Sequence, residues 1–247
     1  MKKGRSYVGT SGWSYPHWVG PFYPEGISPG KFLEYYQEHF NTVEVNSTFY
    51  RLPARSTLEA WDGMAPAHFL FSVKASRFIT HMKKLRDSSE SIHRFIHTIR
   101  HLRKHLGPLL LQLPQNFGLN LQRLNTFLSI LPEGFRYVFE FRDPSWFSED
   151  VFALLEKAGA GFCIYDFDGR RSPEKITSDF AYFRLHGPSK RYQGCYSEEE
   201  LKEWVLFVTE ISRSGRDCFL YFDNDQSGYA PQNAMRMIEL LTAMDPP

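Results

Sequence analysis

Eight short apolar runs recur along the chain, and amphipathic segments fill the gaps between them. The runs are "YVGTS" (7–11), "TVEVNS" (42–47), "FLFSVKAS" (69–76), "PLLLQLP" (108–114), "YVFEFR" (137–142), "GFCIYDF" (161–167), "AYFRLHG" (181–187) and "CFLYFDN" (218–224). Helical periodicity marks 30–40, 56–64, 88–106, 121–130, 149–158, 198–213 and, after the last run, 231–243. Strand alternating with helix implies parallel strands joined by right-handed crossovers. Eight such units in 247 residues match an α/β fold, a (β/α)8 TIM barrel forming a single domain over 1–247. A doubly wound open sheet is the runner-up. It usually has fewer strands, and Gly9 and Gly12 in "GTSGW" lack the spacing of a dinucleotide fingerprint.

Local signals agree with this division. Ser28-Pro29 offers an N-cap followed by a first-turn proline. Ser197, followed by Glu198, Glu199 and Glu200, reads as a capping box with acids on the positive end of a helix. Only the link between the sixth and seventh runs lacks a helical pattern.

Composition narrows the function classes. Hydrophobic residues make up 42%, which supports a substantial core and excludes a disordered chain. Lys and Arg number 29 against 28 Asp and Glu, so overall charge does not point to nucleic acid or to a membrane surface. Cys163, Cys195 and Cys218 are odd in number and form no C-x-x-C, which argues against a disulfide framework or a zinc site. No apolar run approaches the roughly 20 residues of a membrane span. The start "MKKGRSYVGTSGW" has no apolar signal-peptide core. The expectation is a soluble cytoplasmic protein with no membrane partner.

Parity within the strands raises the functional question. Residues two apart on a strand share a face. Glu44 and Asn46 therefore point one way, as do Ser72 and Lys74, Glu140 and Arg142, and Arg184 and His186. Gln112, Asp166 and Asp223-Asn224 end three further runs. Polarity thus rises toward the C-terminal end of nearly every strand, the end where barrel enzymes carry their sites. An ion-pair network that merely closes the barrel would place charges there too. Desolvating so many charges is costly, however, and apolar side chains would fill the space as well, so a ligand site explains the set more simply.

At this point the chain resembles a known family. "GTSGWSYPHWVGPFYP", "VEVNSTFYRLP", "FSVKASRFITH", "LGPLLLQLP", "EFRDPSW", "RLHG" and "YFDND" followed by "NA" are similar to the YecE-like family, domain-of-unknown-function family seventy-two. The resemblance covers about residues 7 to 235. It implies a TIM-barrel-like fold and no established activity, so the candidate site rests on strand parity alone.

The expected site is mixed in sign. Glu140, His186, Glu44 and Lys74 are the candidate catalytic groups. Arg142, Arg184, Asn46, Gln112, Asp166, Asn224, Trp13 and Tyr50 are the candidate substrate-binding residues. Arginine holds carboxylate or phosphate through a rigid fork, so Arg142 and Arg184 suggest an anion clamp, with Glu140 or His186 as acid or base. Basic loop residues, including Arg77, His81, Lys83 and Lys84, add to the positive rim. The preferred reading is an enzyme acting on a small anionic or sugar-like substrate. Loop aromatics, among them Trp18, Phe49, Phe78, Phe117, Trp146 and Tyr192, interleave with this rim and keep a nucleic-acid-binding or nucleic-acid-processing protein open as an alternative. A non-catalytic ligand-binding barrel is the third class.

No cofactor and no metal are expected. Glu44, Glu140, Asp166 and His186 have ligating atoms, but Lys74, Arg142 and Arg184 in the same layer would repel a cation. Gly228, ahead of the last helix, is a weak phosphate-seat signal. His93, His97, His101 and His105 recur every four residues and read as the solvated face of one helix. Oligomeric state is not legible.

Overall fold

The computed structural model describes residues 3–244. Among them every expected run forms a strand: β1 (Ser6–Thr10), β2 (Thr42–Val45), β3 (Leu70–Lys74), β4 (Leu106–Gln112), β5 (Tyr137–Glu140), β6 (Gly161–Phe167), then β8 (Phe180–Leu185) and β9 (Asp217–Phe222). Between β6 and β8, β7 (Arg170–Arg171) is a two-residue strand folded back antiparallel on β6. It occupies the one link without a helical pattern. The strand order is β1-β9-β8-β6-β5-β4-β3-β2, and a parallel bridge between Ser11 and Glu44 brings the end of the order back to its start. That cyclic succession of parallel neighbours is a (β/α)8 barrel of the TIM type. Strands such as β8, buried at every residue, are apolar on both faces, in β8 with Arg184 as the exception, because both of their faces are covered.

The connecting helices are α1 (Phe32–His39), α2 (Arg55–Met64), α3 (Ser89–Ile99), α4 (Leu121–Leu128), α5 (Glu149–Lys157), α6 (Glu198–Arg213) and α7 (Tyr229–Met244). The capping box holds: Ser197 Oγ accepts from Glu200 N, and Glu200 Oε2 accepts from Ser197 N at 2.8 Å. Ser28 behaves differently. Its side chain makes no cap, and Pro29 opens a short 3-10 turn ahead of α1.

The helix expected over 88–106 ends at Ile99. A 3-10 segment follows, and Arg103 adopts φ 48°, a left-handed backbone. The turn changes the fate of the histidine stripe. His93 and His97 are exposed, as expected, but His105 is buried with Nδ1 2.8 Å from Asp62 Oδ1. His101 is partly covered and lies 3.7 Å from Glu59. Helical periodicity assumes one unbroken axis, and the kink removes that assumption.

The chain divides into two compact units, one of Met1–Glu44, Ile164–Ser172 and Phe180–Pro247, the other of Val45–Cys163 and Pro173–Asp179. The first unit contains β1, β7, β8, β9, residues 42–44 of β2 and residues 164–167 of β6. The register of β8 on β9 pairs Tyr182 with Phe219 and Arg184 with Tyr221. Gly9 is needed on β1 because a Cβ there would meet the Thr42 carbonyl oxygen at 2.1 Å. The second unit contains β3, β4 and β5 in parallel register, with Gln112 beside Glu140.

Candidate functional site

In the first unit, the ends of β1, β2, β8 and β9 assemble one buried polar cluster. Glu44 is fully buried. Its oxygens accept from Ser11 Oγ (2.8 Å), Tyr182 OH (2.6 Å), Arg184 Nε (3.1 Å) and Arg184 Nη2 (2.8 Å). Ser11 and both Arg184 nitrogens share Oε1, and Tyr182 donates to Oε2, so each carboxylate oxygen has a partner. Arg184 also reaches Asp223 Oδ2 at 3.1 Å, which places one guanidinium between two carboxylates. His186 Nδ1 lies 2.9 Å from the same Asp223 oxygen, in a contact slanted to the ring N–H direction. Burial, and then the Glu44 charge, push the Tyr182 phenol well above its usual range, so it stays a donor. Tyr15 is pushed up in the same way, by burial and then by Asp223, and donates to the Ser11 carbonyl at 2.8 Å. Phe167 and Tyr192 set their rings edge-on to His186, at 5.3 and 5.6 Å.

In the second unit, the ends of β3, β4 and β5 build another group. Glu140 is fully buried. It accepts from Gln112 Nε2 at 2.7 Å and pairs with Arg142 Nε, the same-face partner two residues on. Cys163 Sγ lies 3.9 Å from its other oxygen. Lys74 ends β3 with Nζ 4.6 Å above the Phe49 ring. His81, on the π-helical turn Phe78–Met82, sits edge-on to the same ring at 4.9 Å and touches Thr80 Oγ1 at 2.9 Å. Burial lowers the His81 imidazole to about 4, and Lys74, Arg77 and Lys84 push the same way against Glu140. His81 is therefore neutral at pH 7.

Strand parity thus brings together Glu44, Arg184 and His186 in one cluster and Glu140, Arg142, Gln112 and Lys74 in the other. Asp166 does not join the first cluster. It accepts from Tyr196 OH at 3.3 Å, on the face of β6 opposite to Phe167, and burial raises its carboxyl to about 6. Asn224 likewise turns away, donating to Gly194 O and Asn233 Oδ1 at 2.8 Å each, while Asp223 takes the place at the cluster. Asn46 lies in the turn after β2, and its buried Oδ1 has no hydrogen-bond partner among the described residues. Trp13 is partly exposed, with its carbonyl accepting from Tyr23 OH at 2.5 Å. Tyr50 is 75% exposed. Trp18, Phe117 and Trp146 are buried packing residues, whereas Phe78 and Tyr192 stay open. Gly228 is buried, with a Cβ there meeting Pro21 at 3.0 Å.

Three participants escaped the parity reading. Ser11 and Tyr182 are hydroxyls inside apolar runs and carry no charge signal. His81 was visible only as one basic loop residue. After Asp217, strand β9 runs "CFLYF" with no charged residue, so its inward parity could not be read, and Asn224 was as eligible as Asp223.

A family model described as "Protein of unknown function DUF72" matches residues 7–246. The UPF0759 protein YecE of Escherichia coli strain K12 is 35% identical over 144 residues, 58% of this chain, and the match spans 50% of that relative's length. The UPF0759 protein YunF of Bacillus subtilis strain 168 is 26% identical over an alignment covering 95% of this chain and 94% of YunF. The crystal structure of a DUF72 family protein from Thermotoga maritima MSB8 matches with a TM-score of 0.88 at 32% identity, covering 96% of this chain and 99% of that one. These descriptions name a family and no reaction.

Proposed function

This chain belongs to the DUF72 family of proteins of unknown function, and we propose that it is an enzyme that binds a small phosphorylated or carboxylated substrate at the ends of β3, β4 and β5. The observation that supports this most is the charge arrangement there. One buried carboxylate, Glu140, is held by Gln112 and Arg142, while Lys74, Arg77 and Lys84 all act on the neighbouring His81. Positive charge therefore exceeds negative charge around a neutral imidazole, which suits an anion. In this reading Lys74 and Arg142 attract and orient the substrate. Glu140 fixes the Arg142 fork, and neutral His81 accepts a proton. The unsatisfied Asn46 Oδ1 offers an acceptor in the same unit.

Calorimetric titration with inorganic phosphate and a panel of small phosphorylated and carboxylated metabolites tests this reading. The parent is expected to bind at least one of them, and Lys74→Ala to bind it at least tenfold more weakly. His81→Gln is expected to retain binding and lose turnover. A parent that binds no anion, or a Lys74→Ala variant that binds as tightly as the parent, sinks the proposal. Binding without turnover in any assay would leave the non-catalytic barrel in its place.

A second reading rests on the His186–Asp223 contact at 2.9 Å. Two carboxylates already neutralise Arg184, so it serves to position Asp223 and not as an anion clamp. The dyad would then supply the acid or base in its own unit.

A further inference from the structure

We propose that the basic flank built around α3 binds single-stranded nucleic acid, independently of the strand-end site. Residues 77–105 carry eight Lys and Arg against only Asp87 and Glu90, in a chain whose net charge is +1. The rest of the chain is therefore acidic, and the positive charge is concentrated on one stretch. Arg77 and Lys84 act on His81 at the strand-end site; of the others, Arg86, Arg94, Arg100, Arg103 and Lys104 are all exposed. A merely solvated helix usually alternates signs to gain i,i+4 pairs. Here α3 buries Ile92, Phe95, Ile96 and Ile99 and offers one such pair, Glu90 with Arg94, beside His93 and His97. The excess positive charge comes from the segments that flank it, with Arg86 before the helix and Arg100 and Lys104 after it.

Two grooves flank this helix in the same unit, of about 390 and 590 Å³. Glu90 and Arg94 border both. The smaller groove holds Phe78, 45% exposed, with Lys83 Nζ 5.1 Å from its ring centre. The larger one is lined by His93, His97 and Arg100, with Phe135 along its side. An open aromatic ring in a cationic groove offers stacking to a base and counter-charge to its phosphate. A duplex hides its base faces and would use only the charges, so the arrangement favours a single strand. Arg103 contributes less, since it lies 3.6 Å from Asp62.

Fluorescence anisotropy of a labelled oligothymidine of about 20 nucleotides, on the full chain between about 50 and 200 mM salt, tests the inference. Saturable binding is expected, with log K falling linearly against log salt. Arg94→Ala/Arg100→Ala should reduce that slope by about 1.4, because each phosphate neutralised on a single strand contributes about 0.7. Phe78→Ala should weaken binding on the order of tenfold with the slope unchanged. All three positions are exposed, and circular dichroism checks that the variants keep their helix content. Lys74→Ala and His81→Gln should bind the oligonucleotide as the parent does, which separates this surface from the strand-end site. The inference is overturned if no saturable binding occurs at the lowest salt. It is equally overturned if the double variant keeps the parent slope, or if a duplex of the same length binds as tightly as the single strand.

Discussion

Arg184 donates two hydrogen bonds, from Nε at 3.1 Å and from Nη2 at 2.8 Å, to a single oxygen of Glu44, and the two side chains are 1% and 0% exposed. Neither charge has water to fall back on. Removing one partner strands the other, which costs about 3–5 kcal/mol for a buried pair. Arg184→Ala strands both Glu44 and Asp223, so its urea-unfolding free energy should fall by about that amount. The double variant Arg184→Met/Glu44→Gln should lose clearly less than the two single variants summed, because it leaves no uncompensated charge on the Glu44 side. Strict additivity would show that the pair is not coupled.

His81 should stay neutral far below the usual imidazole range. Its nuclear magnetic resonance titration is expected to have a midpoint near pH 4 in the parent. Lys74→Ala should raise that midpoint, since Lys74 is the largest charge acting on the ring after burial. The unfolded imidazole takes its proton near pH 6.5 and the folded one only near 4, so the unfolded state binds more protons in between. Stability should therefore decline as pH drops from about 6.5 toward 4, and His81→Gln should flatten that slope. A parent midpoint near 6.5 would contradict the burial and the cationic field together.

Asp166 should give the opposite slope. Burial raises its carboxyl to about 6 in the folded chain, against about 3.9 when unfolded. Between those values the folded state holds more protons, so this group's contribution is full below about pH 4 and is lost as pH rises through 6. Asp166→Asn removes the titration and can still accept the Tyr196 O–H. Denaturation at pH 7 should show the variant more stable than the parent by on the order of 2 kcal/mol, and near pH 4 the difference should vanish. An equal gain at both values would mean that charge has no part in it.

Much of the fold could be read from local pattern. The strands β1 to β6, β8 and β9 fall on the apolar runs, and their ends shift by only a few residues. The capping box at Ser197 is likewise a local device, since its two hydrogen bonds join residues three apart. The break after Ile99 was not readable, because no proline or glycine marks Arg103 and the kink turns His105 toward Asp62, 43 positions away in sequence.

For the site, the side-chain period of two was enough to pair Glu140 with Arg142 and to put Arg184 on the face of His186. It failed where a strand has no charged residue to read, as in β9 after Asp217, and it did not tell that Asp166 and Asn224 pair with Tyr196 and Asn233 instead of joining Glu44 and Arg184. The sequence by itself determined the alternation of strand and helix, and with it which strand ends are polar, because hydrophobic period and chain direction are local properties. The tertiary structure alone decided that Ser11 and Tyr182 donate to Glu44, that Arg184 is shared between two carboxylates, and that cations surround His81. Such partnerships depend on which distant strands become neighbours, and each group's charge state then follows from the water it has lost.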